Sequence, residues 1–360
     1  MQKGNVKQRI EWIDVAKAIL IFFVVLCHAL RIGYLDVYAT GFVVPCFFII
    51  SGLIFKTKDN ISCITDLAKK ILVPYFIFGL ISVFIYCYIG KQESIVLNAD
   101  VSNLGLLNNI YGLIYSNCKN GLMQWNTPLF FLPVYFLTLC IVNIFENFIA
   151  KRKNSNIYRY ASLVFGLIIS YIVTKFNTVC LPFSAESVPY CFFFVELGIV
   201  CKNIILKDYN KKIMLVVAII TFVIGYYFSS INLPYGLHLY LLGENFFIFT
   251  FTELLFCCSI ILFSKVIDSC IIMSIVGENT MGILCMHKFP VLFFVSYIPL
   301  LNKIIVNPNE SILMDVTGIC ISLVAIVLCL LCTYVIMLIC PWILGKNKRH
   351  NIFVRGNNGK

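Results

Sequence analysis

Residues 10–30 read IEWIDVAKAILIFFVVLCHAL, and this stretch decides the fold. As a helix it is long enough to cross a hydrocarbon core of about 30 Å. It nevertheless carries Asp14, Lys17 and His28. A helix turns about 100° per residue, so His28 falls about 20° past three full turns from Lys17 and about 40° short of four turns from Asp14. All three project along one stripe, with Lys17 and His28 separated by about 16 Å of axis. Ionisable groups inside a span are costly, and they usually face a bundle interior or a water-filled cavity where they serve a function. The stripe predicts a helical membrane protein whose other helices enclose it.

The rest of the chain agrees. It is 60% hydrophobic and 12% charged, against about 25% charged in soluble proteins, and its mean hydropathy is +0.92. Apolar runs of spanning length recur from end to end, without the ten-residue alternation of a membrane barrel. The predicted fold class is all-α, a polytopic bundle of about ten transmembrane helices. The runs lie at 12–33, 41–55, 71–89, 128–150, 158–175, 188–205, 213–230, 239–263, 271–297 and 316–344. Gly277, Gly282 and Pro290 interrupt the ninth, and 90–126 is the longest polar segment. This gives one transmembrane domain over 1–345 and a basic tail over 346–360. No internal repeat of the kind found in inverted-repeat transporters stands out.

The net charge of +11 would suit nucleic acid, but the basic residues cluster in short loops between apolar runs, where they set orientation. Most of them fall inside when both termini are cytoplasmic, and an even number of spans returns the basic tail to that side. Nucleic acid is thereby excluded as a partner. Many of the 17 cysteines lie within spans, where they fill space as small apolar side chains. Cys329 and Cys332 have redox spacing but sit mid-span without an ionisable neighbour, and nothing supports a disulfide between Cys118 and Cys180 in the loops. Lys3, Lys7 and Arg9 precede the first span as in a signal peptide, yet no small-residue cleavage site follows, so an uncleaved span is expected. Metal-ligand spacing, a phosphate-binding glycine loop and a nucleophile elbow are all missing from the sequence.

Two readings stand for each polar group. His28 either bonds helices together, at a gain of about 0.6 kcal/mol, or moves a proton as a neutral imidazole. Asp14 and Lys17, at i and i+3, either form an orienting ion pair or leave Lys17 to meet an anion. Ser51, in Phe47–Leu53 of the second span, suits close helix packing as well as a site. Lys69 and Lys70 at the mouth of the third span serve topology, lipid headgroups or a phosphate-bearing ligand. Asn279 and His287 lie in the interrupted ninth span, His287 at the same outer depth as His28. Glu196, Glu244 and Glu253 lie in or beside spans and need partners or water.

These residues together resemble the acyltransferase 3 family of integral membrane acyltransferases, and within it the fucose 4-O-acetylase-like branch. Four stretches carry the likeness in order: Trp12–Lys17 leading to His28, Phe47–Leu53 with its FF-x-x-SG pattern, Lys69–Tyr75 ending in Pro-Tyr, and Gly277–Pro290. Two features depart from the family. Lys17 stands where much of the family has arginine, so the charge is kept without the planar fork. Lys288 and Phe289 separate His287 from Pro290. The resemblance implies an O-acyltransferase, expected to be an O-acetyltransferase, in the plasma membrane. It would use acyl-CoA (acetyl-CoA or another) as co-substrate, with no bound cofactor or metal. The acceptor would be a hydroxyl of a sugar, polysaccharide or lipid-linked glycan, reached amid membrane lipid. It implies His28 as catalytic base, His287, Ser51 and Asn279 on the acceptor side or supporting it, and Lys17, Asp14, Lys69 and Lys70 around the acyl donor. The competing class is a transporter or flippase exporting a glycolipid or polysaccharide along the same stripe.

Overall fold

A computed structural model of the chain describes residues 9–29, 43–97, 105–119, 122–176, 180–233, 235–236, 239–297 and 311–346. Arg31, His238 and His350 lie outside them. The described residues are almost wholly helical, and eight of their helices are long and apolar enough to cross a membrane.

The first helix, α1 (Glu11–Ala29), is the hub. Trp12, Val15, Ala16, Leu20, Ile21, Val25 and Leu26 are all buried. It packs against α2 (Val43–Ile54), α10 (Phe246–Ile267), α11 (Ile271–Glu278), α12 (Thr280–Met286), α13 (Lys288–Tyr297) and α14 (Ser311–Ile339). A span surrounded by other helices carries apolar residues on most of its circumference, so only the Lys17–His28 side, which lines a cavity, departs from this. The outer helices read oppositely. Ile213, Val216, Ile219, Ile220 and Val223 on α9 (Lys211–Ser230) are exposed, as are Leu323, Val327 and Leu331 on α14. Such surfaces suit lipid.

Two helices reach backbone contact through glycine. α2 crosses α8 (Val188–Leu206) where Gly52 faces Gly198. A Cβ on Gly52 would strike the Val195 carbonyl oxygen, and one on Gly198 the Ile49 carbonyl oxygen. Small residues at a crossing let backbones approach and gain dispersion that lipid cannot replace.

The expected spans need four adjustments. α2 has 12 residues, about 18 Å, and its expected start at 41–42 lies outside the described residues. The third span is lengthened: α3 (Asn60–Leu67), a π-turn (Ala68–Leu72) and α4 (Val73–Leu97) run on from one another. The eighth begins at Phe246 rather than 239, because Tyr235–Gly236 pairs antiparallel with Leu241–Leu242 and Asn245 caps α10 by accepting from the Phe247 and Ile248 amides. The ninth is three helices, broken at Asn279 (φ −114°, ψ 20°) and again before α13. Pro290 lacks the N–H that would close its helical bond, which loosens that turn.

The polar segment between the third and fourth runs is structured. α5 (Leu106–Tyr115) lies alongside α4, with the Tyr75 hydroxyl donating to the Leu113 carbonyl at 2.7 Å. A 3-10 stretch, Gln124–Phe130, then leads into α6 (Phe131–Ile149), and Asn126 donates its amide to Ser82 Oγ at 3.0 Å. Charged groups stitch the bundle elsewhere. Lys265 on α10 donates to the Ile205 and Lys207 carbonyls at the end of α8, as a cation should at a helix C-terminus. Arg159 on α7 (Ser155–Lys175) makes a two-pronged pair with Glu146 on α6. Every cysteine is free.

The α2–α8 crossing gives a first prediction. Gly198→Val should lower stability by about 1–3 kcal/mol or more through overpacking, read as an earlier thermal unfolding in detergent. An unchanged transition would show that the crossing does not hold the bundle.

Candidate active site

One cavity of about 520 Å³ runs along the polar stripe of α1. Lys17, Val24 and His28 line one wall, α2 supplies Phe47, Ile50 and Ser51, and Phe131 and Tyr135 come from α6. Thr280, Met281 and Leu284 of α12 close another side, and Thr127 and Pro128 of the 3-10 stretch a further one. The walls are mostly apolar, so the few polar groups in them fix where a ligand is held. Lys17 and His28 therefore face the same cavity, as the helical spacing required.

At the N-terminal end of α1 the charges are organised around Asp14, which is 4% exposed. Arg9 Nε meets its Oδ2 at 2.6 Å, Lys17 Nζ stands 3.6 Å from its Oδ1, and Arg9 also pairs with Glu278 at the end of α11. Gly277 permits this: a Cβ there would strike the Asp14 carbonyl oxygen. Lys346 reaches the same corner, with Nζ 3.4 Å from Asn279 Oδ1. Burial pushes the Lys346 pKa down, and Glu278 opposes that shift.

At the other end stand two histidines. The rings of His28 and His287 have centroids 5.3 Å apart and are tilted by 40°. His287 is fully buried, and its Nδ1 lies 3.0 Å from both the Ile283 and Leu284 carbonyl oxygens. Carbonyls only accept, so Nδ1 carries the hydrogen of a neutral ring. Nε2 then presents a lone pair, and it has no hydrogen-bond partner among the described residues. The helix break before α13 places this ring beside α1.

Ser51 also carries a defined arrangement. Its hydroxyl donates to the Phe47 carbonyl at 2.7 Å, which leaves its oxygen to accept from Tyr135 at 2.7 Å. The two hydroxyls sit together on the cavity wall.

The residues singled out in the sequence thus separate into groups. His28, Lys17 and Ser51 face the cavity, Asp14 buttresses Lys17, and His287 backs His28. Asn279 is placed differently from expectation. It sits at the Asp14 corner with Lys346, because the α11–α12 break falls there and not at the histidines. Lys69 and Lys70 are exposed on the π-turn and lie outside the cavity lining. Glu253 is buried on α10 with Oε2 unpartnered among the described residues, away from the cavity wall. Tyr135, Arg9 and Lys346 were not anticipated. Arg9 lies five residues before Asp14, and that spacing was the available signal for it.

No group of three or more metal-ligating side chains occurs among the described residues. Comparison with curated proteins and with solved structures gave no significant match. The Acyl_transf_3 family model, described as an acyltransferase domain, matches residues 10–345. That match covers nearly the whole chain, including both ends of the cavity and every motif quoted from the sequence. The chain therefore belongs to the acyltransferase 3 family of multi-pass membrane acyltransferases.

Proposed function

We propose that the protein moves an acyl group, in the first instance acetyl, from cytoplasmic acyl-CoA to a hydroxyl of a cell-surface sugar or glycan intermediate. The observation that carries this reading is the shared cavity, with Lys17 toward one end and His28 toward the other. A polyanionic donor is drawn to a basic mouth. The excess of basic residues in the loops on that side supports a cytoplasmic position for the N-terminal end of α1, with Arg9, Lys17 and Lys346. The slim pantetheine arm would lie along the apolar wall and bring its thioester to His28, about 16 Å from Lys17.

His28 then takes the proton of the acceptor hydroxyl as that oxygen attacks the thioester carbon. The carbon–sulfur bond breaks, and the CoA thiolate leaves with the proton held by the imidazole. Transfer through an acyl-histidine is the alternative route with the same balance. His287, neutral and presenting a lone pair, orients His28 or receives its proton. The Ser51–Tyr135 pair, whose two hydrogens are already engaged, leaves oxygen lone pairs at the cavity wall that accept from a hydroxyl or amide of a bound ligand.

The apolar wall accounts for water exclusion, which protects an activated thioester from hydrolysis. Transport along the same stripe would draw on the helix break at Asn279. That break, however, sits in the charged corner with Arg9, Asp14 and Lys346.

Two outcomes follow for purified protein given radiolabelled acetyl-CoA and glycan. His28→Ala should lower kcat by about 10²–10⁴-fold while the protein folds normally; full retention of rate would remove His28 from the chemistry. Lys17→Met should raise the KM for acetyl-CoA about tenfold, equivalent to about 1.4 kcal/mol, with a smaller effect on the acceptor. An unchanged KM would place the donor elsewhere.

A further inference from the structure

A second cavity, of about 290 Å³, lies toward the histidine end of the bundle. Its position follows from α10. Lys265, near one end of that helix, stands 5.7 Å from the Trp12 ring centroid at the start of α1. α10 has 22 residues, about 33 Å of rise, so its first turn, with Phe246 and Phe247, lies at the opposite end. The short hairpin before it stands between the two spaces. Gly236 lines the main cavity, its paired residue Leu241 lines the second, and their backbones are hydrogen-bonded neighbours.

The second cavity differs in chemistry from the first. Tyr171 and Phe247 stack with centroids 5.4 Å apart and planes 29° from parallel. Phe247 is 64% exposed, so ring surface is left over. Lys175 Nζ stands 5.0 Å from the Tyr171 centroid, and Glu244 and Thr174 lie on the same wall. A flat apolar ring flanked by an ammonium, a carboxylate and a hydroxyl matches a pyranose, whose C–H face packs on aromatics while its hydroxyls donate and accept.

The backbone beneath is held in an uncommon shape. Tyr240 has φ +54° and is 2% exposed, and its hydroxyl donates to the Ser170 carbonyl at 3.1 Å. Gly243, three residues on, has φ +70°. A bulky residue in the left-handed region is strained, and such strain persists where surrounding contacts enforce it, commonly at binding sites.

From this juxtaposition we infer that the Tyr171–Lys175–Glu244–Phe247 cavity is a subsite for a sugar unit of the acceptor, next to the unit whose hydroxyl is acylated. The inference rests on the proposed glycan acceptor. A neighbouring unit held here fixes the register of the chain, so that one hydroxyl is presented on the His28 side of the hairpin.

The test uses the full-length protein in nanodiscs, with surface glycan from the producing cells stripped of O-acyl groups by mild alkali as the probe. Phe247→Ala, Lys175→Met and Glu244→Gln should each raise the KM for the glycan at least fivefold. The KM for acetyl-CoA and kcat at saturating glycan should hold, and Phe247→Trp should restore the wild-type value. Glycan KM values within twofold of wild type in all three variants overturn the subsite. A fall in kcat with no change in glycan KM overturns it equally. Should the wild-type protein transfer no acyl group, direct glycan binding by calorimetry decides separately. Binding lost in Phe247→Ala keeps the subsite while the acyl-transfer reading fails, and binding unchanged in that variant overturns the subsite.

Discussion

The ion pairing of Asp14 is the constraint on which the rest depends. A carboxylate taken out of water costs several kcal/mol unless its charge is met, and here Arg9, two residues before α1, and Lys17 within it meet that charge. Arg9 is thereby tied to Glu278, which binds the start of α1 to the end of α11. The backbones can come this close because residue 277 has no Cβ. The helix break at Asn279 follows immediately, and it directs α12 and His287 along α1 toward His28. One buried carboxylate thus fixes the charged end of the cavity and, through the neighbouring break, the approach to its histidine end.

Between these ends the protein supplies little but apolar surface. That arrangement suits a long, thin ligand with charge at one tip and reactivity at the other. Polar groups at the wall are few, and each has a defined donor or acceptor role. His287 is locked as the Nδ1–H form by two carbonyls, and Ser51 is turned toward Phe47 so that it accepts from Tyr135. Groups held in this way keep their lone pairs at fixed places, so they orient a hydroxyl or a proton without rearranging.

Much of this was legible in the sequence. The stripe of Asp14, Lys17 and His28 survives in three dimensions because helical phase alone sets it. The interruption of the ninth span was visible in Gly277, Gly282 and Pro290. What spacing could not supply was contact between distant segments. Tyr135 reads as one aromatic among many until α6 is laid beside α2. The segment over 90–126 reads as a polar loop, because α5 turns Asn109 inward and exposes Leu107 and Ile114, the reverse of the usual pattern. Asn279 was grouped with His287 by nearness in sequence, although a helix separates them in space. Lys69 and Lys70 carried a family expectation, while their exposed π-turn lies off the cavity lining.

In the proposed function, one cavity joins a donor mouth at Lys17 to an acceptor end at His28. Acyl transfer in sealed proteoliposomes of uniform orientation tests it directly. Labelled acetyl-CoA is supplied only on the face carrying the start of α1, and glycan only on the other. The account predicts that label appears on the glycan without acetyl-CoA crossing the bilayer. Transfer that occurs only when both substrates share one face would contradict it.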